Sequence, residues 1–205
     1  MVALTSDVRK GRKYDQVVDG ARAVFMENGF EGASVDEIAR RAQVSKATLY
    51  SYFPDKRVLF MEVAKTECVR QADAALDAIN MTETPEVVLK SACKSMMRFF
   101  FSDFGQAVFR IAVAESKRFP ELGQQFYTNG PMVARGKLMK YLQEAVARGE
   151  LVIEDLELAA DQLPQLCQAD LFDKLMFGIQ DKVSEAEIQR VGDGAVDMFL
   201  ARYAA

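Results

Sequence analysis

Residues 45–52 bring together side chains that can form hydrogen bonds with nucleic acid. The cation Lys46, the small Ala47 and the hydroxyl of Thr48 directly follow Ser45, and no acidic residue interrupts this segment. At the start of a helix, such side chains can reach base edges and phosphates in the major groove, and a small residue allows a close approach. The segment therefore has the composition of a helix that reads DNA.

Polar side chains on either side of this segment extend the candidate surface. The phenolic hydroxyls of Tyr50 and Tyr52 are suited to phosphate oxygens, and Lys56 would add its charge to the amide-rich start of the next helix. Ser34 stands three residues before Glu37, which is the pattern of a capping box at the start of an earlier helix. The predicted DNA-binding residues are Ser34, Ser45, Lys46, Ala47, Thr48, Tyr50, Tyr52 and Lys56.

The residues on which many enzymes and metal sites depend are missing. The chain has no histidine, which excludes Ser-His-Asp and Cys-His catalysis and the metal sites built on imidazole. Cys68, Cys93 and Cys167 are far apart and form no CxxC pair, so they indicate neither a disulfide framework nor a zinc site. We interpret them as small buried apolar residues, with a redox sensor as the alternative. The sequence thus predicts no enzyme, no metal and no cofactor.

The charge of the chain is distributed unevenly. The total is −4, but residues 1–60 carry ten Lys and Arg against eight Asp and Glu, whereas the remaining residues carry 16 against 22. Residues 1–60 include the candidate surface, and their basic excess suits a polyanionic partner better than the total charge of −4 does. The segment 9–13 (RKGRK) supplies four cations before the first predicted helix. It is either a solvated tail or a contact with phosphate or the minor groove.

Helical periodicity runs through nearly the whole chain and places the candidate residues on two short helices. Apolar residues spaced for one helix face predict helices over 12–28, 35–42 and 46–51, and a long fourth helix over 55–79. Two short helices joined by a tight turn, with a third packed behind them, form a helix-turn-helix. The same pattern fits a small three-helix core without a DNA role, and periodicity alone does not separate the two interpretations.

The segment 24–60 closely resembles the N-terminal domain of the TetR family of transcriptional regulators. The positions that carry the resemblance are Phe25, Gly29, Phe30, Ser34, Ile38, Ala39, Val44, Ser45, Thr48, Leu49, Tyr50, Tyr52, Phe53 and Lys56. The resemblance implies an all-α fold, with an N-terminal three-helix helix-turn-helix DNA-binding domain and a larger C-terminal helical domain for ligand binding and dimerisation. It assigns residues 1–56 to the first domain and residues 57–205 to the second. Periodicity predicts about nine helices in all.

Residues 109–131 resemble the C-terminal domain of AefR-like members of that family. The resemblance implies a homodimer formed through the last two long helices, predicted over 156–177 and 184–203, although Pro164 should kink the first of them. Soft and aromatic side chains crowd the preceding helices, where they could line an adaptable apolar pocket or simply form a core. The predicted pocket residues are Met96, Phe100, Phe104, Phe109, Phe126, Tyr127 and Phe172.

The function implied is that of a sequence-specific transcriptional repressor, released from its operator by a small apolar or amphipathic ligand. Its partners would be double-stranded operator DNA, a second copy of the chain and that ligand. No apolar run is long enough to span a membrane, and residues 1–16 lack the pattern of a signal peptide, so we expect a cytoplasmic protein. An activator, a helical enzyme or carrier, and a regulator whose solid body senses no ligand are the alternatives.

Overall fold

The computed structural model describes residues 11–77 and 79–205, which form eleven α-helices. Arg9 and Lys10 of the predicted basic segment lie outside the described residues. The predicted all-α class is confirmed, and within the described residues no helix is long and apolar enough to cross a membrane. The helices are α1 (Arg12–Gly32), α2 (Val35–Arg41), α3 (Lys46–Tyr52), α4 (Lys56–Asp77), α5 (Pro85–Phe100), α6 (Asp103–Glu115), α7 (Pro120–Asn129), α8 (Pro131–Ala147), α9 (Leu156–Leu166), α10 (Phe172–Met176) and α11 (Glu185–Tyr203).

The described residues form more helices than the nine or so expected, because two segments depart from the simple periodic pattern. The short segment after α6 forms a helix of its own, α7, in which Pro120 already has the φ of a first helical turn. The single helix predicted over 156–177 is divided into α9 and α10. Pro164 lies near the end of α9, where it has no backbone N–H to donate. Asp170 then adopts a left-handed φ of 67° before α10 begins.

The helices pack into two compact units. One contains the described residues up to 69 together with 103–130, and the other contains the described residues of 70–102 together with 131–205. The first unit therefore holds α1–α3, most of α4, α6 and α7, and the second holds α5 and α8–α11. Packing divides the chain differently from the predicted boundary between residues 56 and 57, because α6 packs against α1. That division by function remains a prediction.

Three aromatic rings form the centre of the first unit. The centroid of the Phe60 ring on α4 lies 4.9 Å from that of Phe25 on α1 and 5.3 Å from that of Phe104 on α6. All three side chains are buried. Burying a ring of this size stabilises a fold by roughly 1.5–3 kcal/mol. The three rings therefore hold α1, α4 and α6 together within this unit.

The second unit is organised around α5 and α11. Three cations spaced four residues apart on α5 pair with three acidic residues on α11. The pairs are Lys90 with Asp197, Lys94 with Asp193, and Arg98 with Glu185. Between the same helices, Gly192 allows a close approach, since a Cβ there would lie 3.3 Å from the sulfur of Met97. Charge pairing and close packing thus join the two helices.

Candidate DNA-binding site

Two serine caps and a tight turn define the helix-turn-helix. The Ser34 hydroxyl accepts a hydrogen bond from the Glu37 amide at 3.1 Å, and the Ser45 hydroxyl accepts one from the Thr48 amide at 3.0 Å. Each bond satisfies an amide that the first helical turn leaves without a partner. Between the helices, Gln43 takes a left-handed φ of 55°, which turns the chain from α2 into α3. Ser34 and Ser45 therefore position the two helices.

The close approach of α1 to this turn depends on a glycine that the sequence pattern does not single out. A Cβ built on Gly20 would lie 2.8 Å from both the Cβ and the backbone nitrogen of Ala42. Both residues are buried, so a larger residue at position 20 would have to push the turn away from α1. The only signal in the sequence is the glycine itself, which is unfavourable in a helix interior.

The start of α3 presents its predicted reading side chains to solvent. Lys46, Ala47 and Tyr50 are exposed, and Thr48 is partly buried. The Thr48 hydroxyl lies 2.9 Å from the Ser45 hydroxyl and forms a hydrogen bond with it. To contact a base, the Thr48 hydroxyl would therefore have to form a second hydrogen bond beside this one or exchange this one for it.

The cations of α2 and α3 are paired with acidic residues of the same unit. The ion pairs are Lys46 with Asp36, Arg40 with Glu37, and Arg41 with Glu27. Hydrogen bonds from the two arginines hold the pKa of the Glu37 and Glu27 carboxyls below the usual value. Residues 35–46 therefore present little uncompensated positive charge before DNA is bound.

Lys56 has partners within the protein that the sequence did not predict. Its ammonium donates hydrogen bonds to the carbonyls of Phe30 at 2.8 Å and Ala33 at 3.1 Å, and it lies 4.3 Å from the centre of the Phe30 ring. These contacts tie the start of α4 to the last turn of α1 and to the connection between α1 and α2. The phosphate contact of Lys56 remains a prediction, and the third N–H of the ammonium would have to make it.

Tyr52 is partly buried at the end of α3, where its ring meets that of Tyr14 on α1. The rings are nearly perpendicular, with centroids 5.8 Å apart, and Tyr14 also contacts Phe53 at 5.2 Å. Burial is the main cause that raises the pKa of Tyr14 far above its usual value, and a hydrogen bond with Glu62 raises it further. Tyr14 is therefore uncharged. Tyr14 supports the end of α3, although it lies outside the segment that carries the helix-turn-helix pattern.

Arg57 joins the start of α4 to the end of α6. Its guanidinium donates to Asp55 and to Glu115 on α6, each at 2.6 Å. The Asp55 carboxylate also accepts the Arg57 amide at 2.8 Å, and the guanidinium holds the pKa of the Asp55 carboxyl below its usual value. The first turn of α4 therefore cannot separate from α6 without breaking the charge-assisted hydrogen bond between Arg57 and Glu115.

In the second unit, three of the predicted pocket residues are partly buried and pack against the apolar core. Phe100 and Phe172 stack with centroids 5.9 Å apart, and Met96 packs against the buried residues around them. This packing agrees with the alternative of an ordinary core. A role in ligand binding remains a prediction for all three.

In the first unit, a recess lies between α4, α6 and α7. Its cavity volume is about 10 Å³, which is close to the space that a single water molecule needs. Of the predicted pocket residues in this unit, Phe126 lines the recess and Phe109 contacts the Phe126 ring at 6.0 Å, whereas Phe104 lies in the aromatic core and Tyr127 is 59% exposed. The lining residues are Met61, Ala64, Lys65, Cys68, Val108, Gln125, Phe126, Asn129 and Gly130.

The recess combines apolar walls with a few polar groups. Burial raises the pKa of the Cys68 thiol to about 11, so this thiol is protonated near neutral pH. The Asn129 side chain donates to the Gln125 carbonyl at 2.7 Å. Most lining residues were missed from the sequence, because periodicity assigns a residue to a helix face without saying which other helix that face meets.

This fold, with its helix-turn-helix, defines a class of regulatory protein. Residues 17–63 match the family described as bacterial regulatory proteins of the tetR family, and residues 87–205 match the C-terminal domain of AefR-like transcriptional repressors. The second match covers more than half of the chain. The protein therefore belongs to the TetR family of DNA-binding transcriptional regulators.

Relatives and solved structures agree with this assignment. The uncharacterised helix-turn-helix regulator YdeS of Bacillus subtilis is 27% identical over 156 residues, which are 71% of this chain and 75% of YdeS. Further curated relatives match over less than half of their own length. A structure described as a TetR-family regulator from Mesorhizobium loti has a TM-score of 0.79 at 28% identity, covering 97% of this chain and 100% of its own. The flavonoid-responsive regulator FrrA has a TM-score of 0.65 at 31% identity, covering 95% and 98%.

Proposed function

We propose that the protein is a homodimeric, sequence-specific transcriptional repressor that a small apolar or amphipathic ligand releases from its operator. Each protomer would place the start of α3 in the major groove of one half-site. The two-fold symmetry of the dimer would then make the operator an inverted repeat. The DNA-binding part follows the family, and the ligand, the dimer interface and the roles of individual residues are inferred from the sites described above.

The exposed start of α3 on a well-packed support is the observation that carries this proposal. Lys46 and Ala47 face solvent, while Leu49 on the same short helix is 1% exposed. The Ser45 cap and the close contact at Gly20 hold this helix in position. Side chains presented from a fixed helix lose less conformational freedom on binding, which favours selective contacts with base edges.

The recess of the first unit supports release by a ligand. α4 carries Met61 and Ala64, which line the recess, and also Lys56 and Arg57, which tie its first turn to the rest of the unit. The recess has a cavity volume of only about 10 Å³. Typical ligand pockets hold roughly 300–1,000 Å³, so a ligand would have to open the recess by moving a helix. Movement of α4 would disturb the contacts at its start. The similar regulator FrrA is described as flavonoid-responsive, which makes flavonoids the first class to test.

Exposed apolar side chains on α9 and α11 support the dimer. Leu158 on α9 is 50% exposed and Met198 on α11 is 65% exposed. On the same helix as Met198, a Cβ at Gly194 would meet no other atom within 4 Å, so the helix surface is open there. A homodimer interface that covered these side chains would remove their apolar surface from water.

Ligand release is tested by fluorescence anisotropy of a labelled duplex that the protein enriches from a random pool, titrated with a panel of flavonoids. We expect at least one of them to displace the protein from DNA and to raise its melting temperature, since a ligand at 100 times its Kd stabilises the folded state by about 2.7 kcal/mol. Gln125→Ala should weaken both effects, because Gln125 lines the recess. Gln124→Ala is the matched control, since Gln124 is exposed on the same helix and is not among the lining residues.

The outcomes separate the parts of the proposal. Equal responses of the two glutamine variants would remove the recess as the ligand site. Failure of flavonoids and other small apolar compounds to shift either the melting temperature or DNA binding would leave a regulator that senses no such ligand. If Gln124→Ala and Gln125→Ala both lost DNA binding, the cause would be damage to α7 and not a change in the recess.

A further inference from the structure

An ion pair crosses the turn between α2 and α3. The ammonium of Lys46, the first residue of α3, contacts the carboxylate of Asp36 in the first turn of α2. In the described part of the helix-turn-helix, the arginines of α2 instead pair with acidic residues of α2 itself or of α1. Asp36 is thus an acidic residue that competes directly with DNA for a side chain of the predicted reading surface.

Both partners of this ion pair lie at the surface, with Lys46 58% exposed and Asp36 66% exposed. Water and salt screen an exposed ion pair, so this one contributes little to the stability of the fold, and Lys46 can exchange Asp36 for another anion without unfolding the protein. The Asp36 carboxylate nevertheless stays near any phosphate that Lys46 approaches, and like charges repel. Moving Lys46 from Asp36 to DNA therefore carries a cost that a lysine without an acidic neighbour would not have.

The neighbouring cations do not offset the charge of Asp36. Arg40 donates to Glu37, and Arg41 donates to Glu27. Each of these arginines already has a carboxylate partner of its own. Lys46 is the cation that the structure pairs with Asp36, and replacing Asp36 with a neutral residue would release it.

We propose that Asp36 determines specificity by holding Lys46 away from phosphate until contacts with bases have seated α3 in the groove. This role rests on the proposed reading of DNA by α3. In a nonspecific complex α3 is not seated, so Lys46 stays with Asp36 and makes no phosphate contact. In the specific complex, base contacts by Ala47 and Thr48 fix the helix and Lys46 transfers to DNA. Asp36 then widens the gap between specific and nonspecific affinity by weakening nonspecific binding.

The test is the salt dependence of binding to a random-sequence duplex, measured by anisotropy with the full-length protein between 50 and 200 mM salt. Asp36→Asn should steepen the slope of log K against log salt by about 0.9, which corresponds to one additional phosphate contact. Over this range the affinity of Asp36→Asn should therefore fall about 3.5-fold more than that of the wild type. At 50 mM salt it should bind the random duplex more tightly than the wild type does.

Three further variants isolate the ion pair. Glu31→Gln makes the same change in charge at an exposed acidic residue of α1 and should leave the slope unchanged. Asp36→Glu keeps the charge and should retain the wild-type slope. Asp36→Asn combined with Lys46→Gln should behave like Lys46→Gln alone, because the effect of Asp36 passes through Lys46. Circular dichroism melting confirms that each variant is folded.

On the duplex enriched by selection, Asp36→Asn should keep the wild-type slope, so the ratio of specific to nonspecific affinity should fall. Equal slopes for Asp36→Asn and Glu31→Gln on the random duplex would overturn the role of Asp36. A steeper slope that persists without Lys46 would overturn it as well. If selection enriches no sequence, the proposed function fails. The salt slope on the random duplex would still test whether Asp36 keeps Lys46 from phosphate. If no duplex binds at all, both proposals fail.

Discussion

At the scale of single residues, Thr48 and Lys56 show how neighbouring groups restrict the role that a side chain's type suggests. Both were predicted from the sequence to contact DNA, and that remains a prediction. The structure adds that Thr48 shares a hydrogen bond with Ser45, and that Lys56 donates to two backbone carbonyls. Each side chain therefore has a structural contribution, which a measurement of DNA affinity must separate from contact with DNA.

Replacing Lys56 with methionine should destabilise the protein by about 1–3 kcal/mol, because two carbonyls lose a charged hydrogen-bond donor. Methionine keeps the apolar part of the side chain, so the loss reports mainly on the ammonium. Urea denaturation measures the change. Lys13→Met is the control, since Lys13 is exposed on α1 and its replacement should change stability by no more than about 0.5 kcal/mol.

The same variant separates the two roles of Lys56. A slope of log K against log salt that falls by about 0.9 would support the predicted phosphate contact, whereas an unchanged slope would leave Lys56 as a positioning residue. A Lys56→Met protein as stable as the wild type would contradict the importance of the bonds to Phe30 and Ala33.

At the scale of helices, local signals made much of the architecture predictable. The serine cap at the start of α2, provided by Ser34, and the all-α class were expected from the sequence and are found in the structure. The division of the helix predicted over 156–177 was not expected, because the kink foreseen at Pro164 does not by itself predict the left-handed turn at Asp170. Hydrophobic periodicity records which side of a helix is apolar and is insensitive to a break that preserves the apolar pattern.

The candidate DNA-binding site was more predictable than the recess for a similar reason. Its capped helices and its turn lie within one continuous segment, 34–52, so local rules describe them. The recess is lined from α4, α6 and α7, which are far apart in sequence. The close contact at Gly20 likewise depends on which helix faces the turn, and a single sequence does not reveal this.

Gly20→Ala should destabilise the protein by about 1–3 kcal/mol, because the added methyl group would overlap Ala42 and displace the turn from α1. Affinity for the enriched duplex should fall as well, since α3 follows directly from that turn. Urea denaturation and anisotropy measure the two effects. Gly136→Ala on α8 is the matched control: a Cβ there meets no atom within 4 Å, so helix propensity should make it stabilising by about 0.5–1 kcal/mol. If the two variants were equally stable, the contact at Gly20 would not constrain the fold.

At the scale of the whole molecule, reading an inverted repeat requires two helix-turn-helix motifs in one assembly. Linking two binding modules raises the affinity of the pair without any new contact, provided that both can engage at once. The proposed dimer would thus add to the DNA affinity that the side chains of α3 provide. A ligand would act by changing the equilibrium between the arrangements that fit the operator and those that do not.

Met198→Glu should convert the protein to a monomer at concentrations where the wild type is a dimer, because it places a charge at an exposed apolar residue of α11 that the proposed interface would bury. Binding to the enriched duplex should weaken at the same time. Sedimentation analysis determines the oligomeric state. Val87→Glu on α5 is the control, since Val87 is a similarly exposed apolar residue outside the predicted dimer helices. A Met198→Glu protein that remains fully dimeric would place the interface elsewhere.

Selection from a random pool of duplex DNA by the purified protein at near-physiological salt determines whether α3 reads an operator. We expect enrichment of one inverted repeat, with half-site centres about 10–10.5 base pairs apart or somewhat further. The same selection with Lys46→Gln combined with Thr48→Ala should lose this enrichment. A folded, dimeric wild-type protein that enriches no sequence, or that enriches the same repeat without these two side chains, would contradict the claim that α3 reads the operator.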